Sequence, residues 1–353
     1  MRTRKQTRAE EEETAESSPP PPATSTSTVV SITKIEGPTI TMSRDRSGST
    51  QSKLPKPIQF PLVALLSLSL AALGYSLSWS YTKGPLVPHA RVLSTWTDFG
   101  IVTGWRVFEL ALGWFGNYDG YDITALNLLS HGPLLYLLYA FYGSPPSALL
   151  LSLAIETLAT YIPFRLLRPL STAHADPAHA PNADIVADRP IALLTTLLAG
   201  AIYSVTLFFA YATYLPAYLV VYFAKLPSIA SAHEGSYVGL LPVTLVLGFA
   251  ARVFVFTPAE ATPRKEQQQQ PGFDPAAASL GQTLRWNLWG WRAQTKVLIQ
   301  RSALLVLVTG ANTFLQTRFT VDGVETPGAA AWSSVWVLAA AVTGVALGAV
   351  GSG

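Results

Sequence analysis

The chain has 353 residues, 49% of them hydrophobic and only 13% charged. Soluble domains carry roughly 25% charged residues, so an ordinary water-soluble fold is excluded. The formal net charge of +3 is small, and the absence of cysteine removes disulfides, thiolate metal sites, iron–sulfur clusters and cysteine nucleophiles.

Residues 1–57 are rich in Ser, Thr, Pro and Glu, with the tract SSPPPPATSTST, and cannot bury a core. They are predicted to form a disordered polar tail. The start MRTRKQTR has the arginines of a transit peptide, but the acidic run Glu10–Glu13 follows directly, and such peptides are poor in acids. The first long apolar run begins only near Ile58, too late for a secretory signal.

Runs of roughly 20 apolar residues mark membrane spans. They recur at 58–81, 123–142, 147–167, 190–212, 238–257, 298–317 and 331–350. The stretch 94–116 is long enough but carries Asp98, Arg106 and Glu109. The pattern predicts an all-α fold, a polytopic transmembrane helical bundle of about eight spans. Residues 58–167 form its first half of four spans, and 168–189 a flexible linker. Spans five and six occupy 190–257, a second linker 258–282, an interfacial amphipathic helix 283–297, and the last two spans 298–350. Residues 190–224 are apolar throughout and would reach roughly 52 Å as one helix, against a core of about 30 Å. Pro216 is therefore expected to end or kink the helix and leave a short interfacial or re-entrant piece. With 94–116 crossing and both termini inside, inner segments hold 11 Lys/Arg against 4 on outer segments. That is the bias expected of cytoplasmic loops.

Two GxxxG patterns, Gly100–Gly104 and Gly344–Gly348, let helix backbones approach closely. They are expected to pack helices within the chain, with homo-oligomerisation as the second use. The loop NYDGYD at 117–122 has the Asx–Gly chemistry of a tight turn. Its Asn117, Asp119 and Asp122 are hard oxygen ligands that could also seed a divalent-cation site, but a full set of six ligands is not visible locally, and no metal or other cofactor is expected. Along 283–297, Arg285, Arg292 and Lys296 share one arc with Trp286 and Trp289 beside them. This predicts contact with anionic lipid headgroups. Basic residues flank apolar runs rather than forming one face, so the bilayer is an expected partner and nucleic acid is not.

Asp98, Arg106, Glu109, Asn127, His131 and Glu156 all fall inside first-half spans. A charge at the bilayer centre costs about 2.5–3.5 kcal/mol on insertion scales, so such groups turn inward and find partners. Asp98, Arg106 and Glu109 share one helical stripe, and Arg106 and Glu109, three apart, are expected to pair. The expectation is one cluster of Asp98, Arg106, Glu109, His131 and Glu156, acting either as helix glue or as a proton-handling or substrate-binding group. The second half shows nothing of comparable depth, since Arg252 and Arg301 sit near inner ends and Asn312 and Gln316 are neutral.

Three functions fit these residues. The favoured one is a non-enzymatic organiser or scaffold of an endomembrane, because no nucleophile or metal constellation accompanies the one intramembrane histidine. The second is a transporter or channel lined by the cluster, with Gly132–Pro133 and Pro216 as loosely paired helix breaks. The third is an intramembrane enzyme acting on lipid-like substrates, with His131 or Glu156 as general base. Spans of mostly 20 residues and the lack of N-x-[ST] sequons fit the endoplasmic reticulum, with the mitochondrial inner membrane second.

Overall fold

The computed structural model describes residues 55–176, 188–257, 279–281 and 293–351. Among the described residues are eight long helices: α1 Lys56–Leu86, α2 Trp96–Phe115, α3 Gly120–Ala140, α4 Pro146–Leu167, α5 Arg189–Ala212, α6 Tyr237–Phe256, α7 Ala293–Thr320 and α8 Thr326–Gly351. All except α2 are long and apolar enough to cross a membrane. The chain is an all-α, multi-pass membrane bundle.

Local chemistry sets the helix boundaries. Thr95 caps α2 by accepting the Asp98 N–H at 3.1 Å, so Asp98 sits in the first turn, where a carboxylate suits the helix dipole. Asp119 caps α3 through the N–H groups of Tyr121 and Asp122, both at 3.0 Å. NYDGYD is therefore a helix start as well as a turn. Asn117 takes the left-handed conformation that its short side chain tolerates, φ 58°. Pro216 has no N–H and its ring clashes with the carbonyl four residues back. That residue is Ala212, where α5 ends, and a short helix Leu215–Tyr222 follows. Pro133 does not break α3, which is helical throughout Gly120–Ala140.

Helix ends gather into two sets. At one end, Ala90 bridges Val321, Phe223 bridges Val324, and the Asp322 N–H reaches His89 O at 2.9 Å. There the Asp322–Gly323 turn joins α7 to α8, with Gly323 at φ 75°. At the other end, Arg301 of α7 meets Asp122 of α3, and Gly351 lies against Phe256 and Leu298. The segments that basic-residue bias placed on one side are thus together in space. Helix α2 runs between the two sets. The Arg91 N–H before it bonds Thr320 O at 2.8 Å, and Trp114 near its end lies 4.1 Å beneath the Arg168 guanidinium. Residues 94–116 therefore traverse the bundle despite their charges.

Helix α3 runs through the middle, buried against α4, α6 and α7, while α1 is peripheral with most apolar side chains exposed. An aromatic knot joins α3, α5 and α8. Tyr136 stacks on Trp332 at 6.3 Å and 10°, Trp332 meets Trp336 edge-on at 5.7 Å, and the Tyr211 hydroxyl donates to Tyr136 at 3.2 Å. Helices α5 and α6 touch backbone to backbone: a methyl placed at Gly248 would fall on the Gly200 nitrogen and 2.9 Å from Thr196 O.

Candidate functional site

Polar side chains from five helices meet at mid-depth. Arg106 of α2 forms an ion pair with Glu156 of α4, Nη2 to Oε2 2.8 Å. The other Glu156 oxygen accepts from the Tyr75 hydroxyl of α1 at 2.9 Å, and Tyr75 also lies 2.8 Å from Ser152 Oγ. His131 of α3 has Nδ1 3.1 Å from Ser130 Oγ and Nε2 3.3 Å from the Gln316 amide nitrogen of α7. Asn312 of α7 donates to Ser130 O at 2.9 Å, and its own oxygen accepts from the Trp105 indole of α2 at 2.9 Å. Asn127 donates to Thr160 Oγ1 at 2.9 Å, tying α3 to α4. Water is scarce at this depth, so each bond replaces a partner the bilayer cannot supply.

A slot opens beside this network, between α1, α2, α3, α4 and α7. Its deep part, about 200 Å³, is floored by Arg106, Glu109, His131, Glu156 and Gln316. Its shallow part, about 400 Å³, is walled by Leu86, Leu134, Leu135, Leu138 and Val321. Val102, Glu156 and Gln316 line both, so the parts adjoin.

A second polar group closes the end where α3 begins. Arg301 pairs with Asp122, donates to Phe254 O, and lies 4.4 Å over the Phe254 ring and 4.9 Å over the Tyr118 ring. Asp119 Oδ2 accepts the Ser171 N–H at 2.9 Å and meets His174 Nδ1 at 2.6 Å. Burial pushes the Asp119 carboxyl up, but the hydrogen bonds from His174 and from the Asp122 and Ser171 N–H groups outweigh it. The carboxyl is held at about 2. Ligand atoms of Asp119, Asp122 and His174 lie within 4.8 Å of one another. Asp119 and His174 are bonded to each other, and the Arg301 cation is seated against Asp122. Asp119 is a latch holding Ser171–His174 against the start of α3.

The structure brings together five of the six depth residues singled out by sequence. Arg106, Glu109, His131 and Glu156 share the slot floor, and Asn127 lines a small pocket with Arg106 and Glu109. Asp98 stays apart, 4.0 Å from Arg91 at the helix start, because it serves the cap of α2. Arg106 pairs across helices with Glu156 rather than along its own helix with Glu109. Sequence reasoning passed over Tyr75 and Trp105 and set Asn312 and Gln316 aside as neutral. The α7 members correct the expectation that the polar site belongs to the first half alone. Of the predicted headgroup contacts, Arg285, Trp286, Trp289 and Arg292 lie outside the described residues, while Lys296 is half-buried in the first turns of α7. In the GxxxG patterns, Gly344 packs against Ser302, but Gly100, Gly104 and Gly348 face open space.

Residues 188–350, just under half of the chain, match the family model described as the bouquet formation protein 3 C-terminal domain. No curated protein and no solved structure matches the chain. The matched region takes in α5 to α8 and with them Arg301, Asn312 and Gln316, whose partners on α2 and α3 lie outside it. Over that C-terminal half the chain is similar to the bouquet formation protein 3 domain.

Proposed function

We propose that the chain is a non-enzymatic organiser of an endomembrane, of the endoplasmic reticulum or a related compartment. The observation that carries this reading is how the buried charges of the bundle are used. Arg106 with Glu156, and Arg301 with Asp122, are consumed in ion pairs that tie one helix to another. Such pairs fix helix positions, and they leave neither Glu156 nor Asp122 free as a base. A family named for the formation of a structure, rather than for a reaction, supports the same reading. The polar tail and the loops then offer contacts to protein partners, and the open Gly100–Gly104 face a contact to a second copy. The slot favours transport as the second reading, since it brings polar groups from one bundle end to mid-depth.

Reconstitution separates the two. Proteoliposomes holding the chain should remain as impermeable to ions and small solutes as empty vesicles. Cross-linking in native membranes should give discrete, stoichiometric adducts that disappear when residues 1–57 are deleted. Saturable solute flux that is lost in Glu156→Gln would overturn the organiser reading in favour of transport.

A further inference from the structure

The slot's outer part sets Leu86, Leu134, Leu135, Leu138 and Val321 beside Tyr75, His89, Ser152 and Thr320, and its floor gathers Arg106, Glu109, His131 and Gln316, so an amphiphile would find both apolar walls and polar groups there. Its two parts, about 200 Å³ and about 400 Å³, reach the size of small-molecule sites, roughly 300–1,000 Å³. The floor carries unequal charge. Arg106 is paired with Glu156, whereas Glu109 faces the same space with no ion pair of its own, Arg106 being the cation that acts on it and Trp105 a donor beside it. Beside it lies a pocket of about 20 Å³ bounded by Glu109, Arg106, Asn127, Ser130 and Thr160. That is room for one group the size of a water molecule. Asn127, 6% exposed, spends its amide nitrogen on Thr160 and leaves its oxygen buried with no hydrogen-bond partner. A carboxylate and an orphaned carbonyl oxygen thus present acceptors at one spot and call for donors. A primary ammonium is compact, positive and carries three N–H donors.

We infer that the slot binds one single-chain amphiphile with a primary ammonium head, a long-chain amine. The head sits against Glu109 and Asn127, and the chain rises past Val102 and the leucines of the outer part. This site is independent of the organising role, because its ligand makes the pocket complete without any partner protein.

The test uses the full chain in nanodiscs of neutral lipid, with empty discs subtracted. Octadecylamine, octadecanol and octadecanoic acid are titrated, binding is read as thermal stabilisation, and native mass spectrometry counts bound molecules. The amine should bind one per chain and about tenfold or more tighter than the alcohol or the acid. Glu109→Gln, which removes no ion pair, should erase that preference and leave the alcohol unchanged. Val102→Trp, which fills the junction of the two parts, should abolish binding while Glu109 is intact, so the inference stays exposed if one variant fails to fold. Equal affinity for all three probes overturns it, as does an amine preference that survives in Glu109→Gln. Failure of every probe to bind overturns it too.

Discussion

At the scale of single residues, the charges in apolar runs were legible and their partners were not. Arg106, Glu109, His131 and Glu156 stand out because a charge or imidazole in a span needs an explanation. Tyr75, Asn312 and Gln316 carry no such signal, since neutral polar residues are common in spans and only the fold brings them within reach. Arg301 was visible but read as an inner-end charge; its counter-ion Asp122 is 179 residues away in sequence. Removing one member of a buried pair costs roughly 3–5 kcal/mol, because the other charge stays behind. Arg301→Met should therefore lower the unfolding midpoint in detergent sharply, and Asp122→Leu added to it should recover part of the loss. Additive losses would show that the two side chains do not act as a pair. The Asp119 latch makes a pH statement with a defined sign. Its folded pKa, about 2, lies below the ordinary 3.8, so its contribution is fully present above the ordinary value and disappears as pH falls through about 2. Hydrogen exchange at Ser171–Ala175 should not respond to this carboxyl between pH 7 and pH 5. In Asp119→Ala the same segment should exchange faster already at pH 7, with a helix-cap loss of about 0.5–2 kcal/mol.

At the scale of helices, the eight long helices were readable from the sequence to within a few residues of most boundaries, and seven of them are long and apolar enough to cross a membrane. The ends shifted where local caps outrank hydropathy, as at Asp119, which starts α3 at Gly120 instead of at the first apolar residue. Pairing between helices was far less readable. The two GxxxG patterns pointed to close approach, yet three of their four glycines face open space. The tight contact is between Gly200 and Gly248, glycines of different helices that form no motif in either. Close approach requires small residues at one depth on facing surfaces, and a single-helix pattern says nothing about what faces it. Gly248→Ala should destabilise the bundle by about 1–3 kcal/mol, because its methyl meets fixed backbone rather than a side chain that can rotate away. Gly100→Ala and Gly104→Ala should leave monomer stability unchanged. If α2 joins two copies, both should weaken cross-linked dimer yield in membranes. A Gly248→Ala protein with the parent's midpoint would refute the backbone contact.

At the scale of the whole molecule, the sequence suggested two halves of four spans with the polar chemistry in the first, and the structure ties them together instead. Helix α3 is packed against α6 and α7, and the links that cross the divide include Asp122 with Arg301, Ser130 with Asn312, and His131 with Gln316. Trp105 of α2 adds another through Asn312. The region similar to the bouquet formation protein 3 domain, 188–350, therefore ends inside a shared polar network rather than at its edge. Expressed without the first half, that region would expose Arg301 and Asn312 at membrane depth with their partners gone. An unpaired charge there costs about 2.5–3.5 kcal/mol on insertion scales, and lost hydrogen bonds between helices add about 0.6 kcal/mol each. Together those penalties come to about 4–5 kcal/mol, close to the lower end of the marginal stability of an ordinary fold, about 5–15 kcal/mol. Residues 188–353 expressed alone should aggregate or be degraded, and co-expression of residues 1–187 as a separate chain should restore a monodisperse complex that purifies through a tag on either piece. The rescue should fail when the first piece carries Asp122→Ala and Ser130→Pro together, which remove the counter-ion and bend α3 away from Asn312. A stable, monodisperse 188–353 fragment with an unchanged unfolding midpoint would mean that the cross-half links are incidental and that the matched region is a folding unit in its own right.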